Sequence, residues 1–243
     1  MSRFLRPFLL NFSGMLLLVA PSGMAQQSGS WNILQLKYHP NEQTEIFAEG
    51  QLRSLRFYHN FHYYEYKAGL SYLWRKACRF TLGAGSYQTY REGGDFVLPK
   101  NNDEFRIWPQ IQLSQQVGLF RVEQRYRWES RFTSSGYRNR YRYRLGLSVP
   151  LGFKINDKQV FRILAGNELF FTDREPYFER NRANVALEIR TGKNSSMQLG
   201  YLYQFDYKIN DETGRSFFQL GYYLDFYPVK ITPDRSTESP EQF

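Results

Sequence analysis

The stretch R-V-E-Q-R-Y-R-W-E-S-R, Arg121 to Arg131, divides its alternate residues completely by chemistry. Arg121, Glu123, Arg125, Arg127, Glu129 and Arg131 form one set, every member charged, while Val122, Gln124, Tyr126, Trp128 and Ser130 form the other. Side chains of an extended chain point to opposite faces with period two, so this is a strand between a charged and an apolar, aromatic environment. Tyr137 to Val149 repeats the pattern. Arg138, Arg140, Arg142 and Arg144 share one face, and Tyr137, Tyr141, Tyr143, Leu145, Leu147 and Val149 the other. A helix would scatter these arginines around its circumference.

Outward from this pair, about eleven segments alternate in the same way between turn-like clusters. Trp31 to Tyr38 is the weakest. Thr44 to Arg53 sets Glu45, Glu49, Gln51 and Arg53, with Phe47, against Ile46, Ala48 and Leu52. His62 to Tyr72 and Arg79 to Tyr90 follow, and then the longest polar interruption, Arg91 to Asn102. The next segment sets Glu104, Arg106, Gln110, Gln112 and Ser114 against Phe105, Ile107, Ile111 and Leu113. Beyond the arginine strands come Val160 to Phe171 and the strictly alternating Arg180 to Arg190, with Arg180, Arg182, Asn184, Glu188 and Arg190 on one face. Met197 to Tyr207 and Phe218 to Phe226 complete the series.

The N-terminus sets the compartment. Arg3 and Arg6 precede an apolar run from Phe8 to Ala20, and Gly23 and Ala25 supply small residues before Gln26. Residues 1–25 therefore read as a cleaved signal peptide, with an apolar run too short to span a membrane as a helix. Residues 26–228 read as one barrel domain, and 229–243 as a polar, disordered tail. The 243 residues carry a formal charge of +9, which taken alone would suggest nucleic acid. Export makes that partner improbable. The single cysteine, Cys78, excludes an internal disulfide and a Cys-rich metal site.

Segment length decides the architecture. Most runs are about 9–13 residues, near what a tilted strand needs to cross a bilayer and longer than most soluble strands. The negative mean hydropathy excludes a helical bundle but suits strands with one polar face. Aromatics at 18%, with 19 Tyr and 21 Phe, suit a lipid-facing surface with interfacial girdles. Longer connections (91–102, 172–179, 209–214) interleave with tight turns (73–78, 115–118, 191–195), as long outer loops and short periplasmic turns would. The expected fold is all-β: a closed antiparallel transmembrane barrel of about 10–12 strands in the outer membrane of a Gram-negative cell. Its Arg/Glu lumen, its monomeric state and its contact with outer-membrane lipid belong to the same expectation. An even strand number requires ten, if Trp31–Tyr38 does not span, or twelve.

With these strands in place, the chain resembles a family of bacterial outer-membrane proteins, the domain-of-unknown-function family 2490. The resemblance rests on Trp31, E-G-Q-L-R at Glu49–Arg53, Y-R-W-E-S-R-F at Tyr126–Phe132, R-N-R-Y-R-Y-R-L-G-L at Arg138–Leu147 and R-N-R-A-N-V-A-L at Arg180–Leu187. It covers roughly residues 30–227. It implies an outer-membrane barrel and brings no activity with it.

The candidate site is the charged interior: Glu49, Arg53, Arg106, Arg121, Glu123, Arg125, Arg127, Glu129, Arg131, Arg138, Arg140, Arg142, Arg144, Arg180, Arg182, Glu188 and Arg190. An arginine facing lipid at mid-membrane costs about 2–4 kcal/mol, which directs these side chains inward. Three readings remain open. Carboxylates can pair the arginines into a filled, structural or binding lumen. The carboxylate-free face Arg138–Arg144 can instead leave surplus positive charge for small anions, as in an anion-selective channel. The third reading is a barrel-embedded lipid hydrolase. It would need a histidine base, and His39, His59 and His62 all sit near connections with no serine at a suggestive spacing. No catalytic residue, metal or cofactor is assigned.

Overall fold

The computed structural model describes residues 28–228 apart from 76, 153, 156–157 and 208–211. The expected signal peptide and polar tail lie outside these described residues. The chain forms β1 (Gly29–Tyr38), β2 (Thr44–Arg56), β3 (His59–Trp74), β4 (Cys78–Arg91), β5 (Val97–Val117), β6 (Phe120–Thr133) and β7 (Gly136–Pro150). After a short hairpin of β8 (Lys154–Ile155) and β9 (Lys158–Gln159) come β10 (Phe161–Thr172), β11 (Phe178–Gly192), β12 (Ser195–Asp206) and β13 (Thr213–Phe226). The eleven long strands close into a barrel in the order β1-β13-β12-β11-β10-β7-β6-β5-β4-β3-β2. Closure pairs both sides of every long strand, which removes the exposed edges that invite aggregation.

The strand count is eleven, neither ten nor twelve. Trp31–Tyr38 is a full stave, so the closed all-β barrel of about 10–12 strands holds as expected, while the even count does not and one seam is parallel. An odd number makes the first and last strands run the same way, so β1 and β13 pair in parallel, Gly29 with Phe217 through Tyr38 with Phe226. Side-chain and backbone contacts fasten this seam at both ends. Trp31 meets Phe217 edge-on at 5.6 Å, His39 N donates to Phe226 O at 2.9 Å, and the His39 ring reaches Asp225 Oδ1 at 2.9 Å.

The connections also differ from expectation. The polar interruption Arg91–Asn102 is mostly strand: β4 runs to Arg91 and β5 starts at Val97, leaving 92–96 as the turn. Here Phe61 N donates to Asp95 Oδ1 and Phe96 N to Phe61 O, both at 2.7 Å, which holds the polar sequence in an extended ribbon. The connection from β7 to β10 shares a rim with those joining β3 to β4, β5 to β6 and β11 to β12. On the opposite rim Asp173 accepts from Asn139 Nδ2 at 2.8 Å, which holds its carboxyl below the ordinary range.

The outward faces carry apolar and aromatic residues throughout, among them Leu82, Ile111, Tyr126, Trp128, Tyr141, Val185 and Tyr222, all exposed. A monomeric soluble protein rarely shows an apolar surface of this extent. The inward faces carry the polar set, together with aromatics that lie flat against glycine. Trp108 is 0% exposed, and a Cβ on Gly83 would come within 2.5 Å of its indole. The β5–β6 ladder skips Trp108 and Pro109, resuming at Gln110–Arg127. Proline has no N–H to donate to it.

Gly83→Ala is therefore expected to destabilise the barrel by about 1–3 kcal/mol through overpacking against Trp108. Urea unfolding of the refolded protein in detergent, followed by the heat-modifiable gel shift, measures it.

Candidate functional site

The site is the barrel interior, a cavity of about 960 Å³. Of the residues assigned to it from sequence, all but Glu129 and Arg190 line that cavity. Glu129 is enclosed at 0% exposure within the same network, and Arg190 stands on the same face of β11 two residues beyond Glu188.

The strand register creates a problem that the charges then solve. Along β6 and β7, Arg125 stands opposite Arg144, Arg127 opposite Arg142, and Arg131 opposite Arg138. Like charges directly across a ladder are destabilising. Carboxylates from other positions enter between them. Glu129 lies within ion-pair distance of four guanidinium groups: Arg142 at 2.5 Å, Arg127 at 3.5 Å, Arg106 at 3.6 Å and Arg140 at 3.7 Å. Glu104 on β5 accepts from both Nε and Nη2 of Arg106 at 2.9 Å, and from the same two nitrogens of Arg131. Glu168 on β10 accepts from Arg125 at 2.6 Å and from Arg142 at 2.8 Å. Glu179 on β11 accepts from Arg140 Nε at 2.8 Å. Bidentate, charge-assisted bonds of this kind are the strong class.

Around the rest of the wall the same pairing continues with lysine. Glu65 accepts from Arg53 Nη2 at 3.1 Å, Lys67 Nζ at 2.8 Å and the Tyr63 hydroxyl. Glu49 pairs with Lys67 at 2.6 Å, and Glu45 with Arg79 at 2.5 Å. Arg121 pairs with Glu123 at 3.0 Å and Arg162 with Glu188 at 3.3 Å.

Aromatic rings fill the space between the charges, and the sequence reading did not assign them to the interior. Arg53 lies between Trp31 at 3.5 Å and Tyr63 at 4.1 Å, and Arg106 over Tyr87 at 3.7 Å. Phe170, 1% exposed, has Arg142 at 4.6 Å and Arg182 at 4.8 Å over its ring. The parity of each strand was the available signal: Trp108 shares a face with Glu104 and Arg106, and Phe170 with Glu168. Glu179, Asp206, Lys67 and Arg79 were likewise absent from the assigned set.

Seventeen Lys and Arg line the cavity against ten carboxylates and the enclosed Glu129, a surplus of six positive charges among the described residues. Arg138, Arg144 and Arg182 have no carboxylate at ion-pair distance among the described residues, whereas Arg140 and Arg142 are paired. The expected free charge of Arg138–Arg144 is thus confined to its two ends. Of the three histidines, His39 lies on the rim opposite the one where His59 and His62 begin β3. Among the described residues His62 Nδ1 is buried without a hydrogen-bond partner.

The family model described as a protein of unknown function (DUF2490) matches residues 28–215. No curated protein matches the chain. Among solved structures, LpxR from Salmonella typhimurium is similar at 8% identity with a TM-score of 0.46, over 75% of this chain and 83% of that one. An anion-selective porin from Comamonas acidovorans is similar at 10% identity with a TM-score of 0.36, over 72% of this chain and 55% of that one.

Removing the hub carboxylate leaves four guanidinium groups without their shared partner. Glu129→Ala is expected to cost about 3–5 kcal/mol, the range for breaking a buried pair from one side. Glu123→Ala, at a more exposed pair, is expected to cost about 1 kcal/mol or less. Urea midpoints of the two variants in the same detergent make the comparison.

Proposed function

The chain belongs to the DUF2490 family of proteins of unknown function, and from that premise we propose that it is an outer-membrane β-barrel whose lumen is filled and has a binding or structural role. One observation carries the reading: each of the eleven barrel strands contributes an inward side chain that is 9% exposed or less. Trp31, Arg53, Glu65, Tyr87, Trp108, Glu129, Arg140, Phe170, Arg182, Leu202 and Phe217 form this layer in chain order. Such a layer narrows the lumen cavity at every stave, as inward side chains do in small barrels. The apolar outward face and strands of 10–21 residues suit a bilayer, with the N-terminal segment as the export signal.

A second reading, a narrow anion-selective channel, is favoured by the surplus of six positive charges lining the cavity. Positive lumen charge attracts anions and repels cations.

Planar-bilayer recording of the purified barrel separates the two. The filled lumen predicts no steady conductance in the wild type. Sustained anion-selective current supports the second reading, and cation-selective current rules out both. A heat-modifiable gel shift of detergent-extracted protein from outer-membrane fractions tests the membrane barrel itself. A detergent-independent, unshifted protein would sink it.

A further inference from the structure

Arg182 marks the place where charge pairing stops in the middle of this layer. It is 9% exposed, and its single hydrogen bond among the described residues runs from Nε to Gln204 Oε1 at 2.8 Å. Gln204 donates onward to Asp206 Oδ2 at 2.6 Å, and Asp206 is already held by Arg180. Glu168, on the adjacent strand, gives its Oε1 to Arg125 and Arg142 at 2.6 and 2.8 Å. Glu168 stands directly across the β10–β11 ladder from Arg182, yet the two form no ion pair among the described residues.

Its remaining neighbours are ring faces, Phe170 at 4.8 Å and Trp31 at 4.9 Å. Arg53 lies over the same Trp31 at 3.5 Å, with its Nε buried and unpartnered among the described residues. Cation–π contacts soften a buried guanidinium without neutralising it. An uncompensated buried charge is strongly unfavourable, and every other cation in this layer has a carboxylate. The terminal Nη1 and Nη2 of Arg182 form no hydrogen bond among the described residues, and the residue lines the cavity.

We propose that Arg182 is the recognition point of a subsite for one small oxyanion, a carboxylate or a phosphate group. The free fork of Arg182 receives two of its oxygens, and Arg53 and Arg180 add positive potential beside the Trp31 indole. A planar guanidinium suits paired oxygens in a way that a lysine does not. The proposal rests on the binding reading above and gives it a ligand class.

Trp31 reports on the subsite. The full barrel in detergent is titrated with sodium phosphate or sodium acetate at constant ionic strength made up with chloride, following tryptophan emission and the thermal midpoint. Trp31→Phe assigns the emission. The wild type is expected to give a saturable response to one or both anions; phosphate alone or acetate alone identifies which group binds. Arg182→Gln is expected to weaken binding by about tenfold or more, the loss of paired charge-assisted bonds. Lys100→Gln, at an exposed rim pair, is expected to leave it unchanged. Should Arg182→Gln fail to fold, Arg182→Lys keeps the charge, loses the fork, and carries the test. No saturable response beyond chloride in the wild type, or unaltered affinity in the folded Arg182 variant, overturns the subsite. A conducting barrel that still titrates would overturn the filled lumen and keep the subsite, and a silent barrel that does not titrate would do the reverse.

Discussion

Charge taken out of water must be answered by opposite charge at contact distance, and this barrel is built around that demand. Its wall places arginine opposite arginine on β6 and β7. Such a register is tenable only because β5, β10 and β11 deliver Glu104, Glu168 and Glu179 into the gaps and Glu129 sits at the centre. Each carboxylate serves at least two guanidinium groups, so the pairs form a network and no single exchange is local. The ladder register and the lumen chemistry therefore fix each other. A slip of one residue would turn the arginines toward the apolar surroundings and expose the tyrosines to the cavity.

The aromatic interior residues solve a second problem, which is volume. A lumen eleven strands wide holds more space than guanidinium groups and carboxylates fill without water. Flat rings of Trp31, Trp108 and Phe170 take that space while offering π faces to the cations above them. Glycine makes room at the wall: Gly83 admits the Trp108 indole, and a Cβ on Gly69 would come within 2.6 Å of the Phe47 ring. The layer is thus a mixture of charge and ring.

Face assignment was legible in the sequence, because alternation is a local property and the outward faces are almost wholly apolar and aromatic. Arg121–Arg131 and Arg138–Arg144 could be placed inward from period two alone. Pairing was not legible. Which carboxylate meets Arg140 depends on β11 lying two strands away, and nothing in either segment encodes that distance. Trp108 and Phe170 were hidden for a different reason: an aromatic on a charged face reads as an exception until the lumen's volume is known. The odd strand number escaped because it depends on closure between the chain's first and last staves. Trp31–Tyr38 looked weak as a strand because its inward face holds Trp31 and Ile33 where other staves hold charges. Arg91–Asn102 looked like a loop because a strand that projects past the apolar belt has no reason to alternate.

The parallel seam has a consequence for how the two ends of the wall address their surroundings. Because β1 and β13 ascend together, Gly29 stands on one rim and Phe226 on the other. An even barrel returns its chain to the rim where it began; this one delivers it across. A group attached before β1 and a group attached after β13 are therefore separated by the full height of the wall. A label placed at Gly29 and one placed at Phe226 report on opposite rims of the barrel.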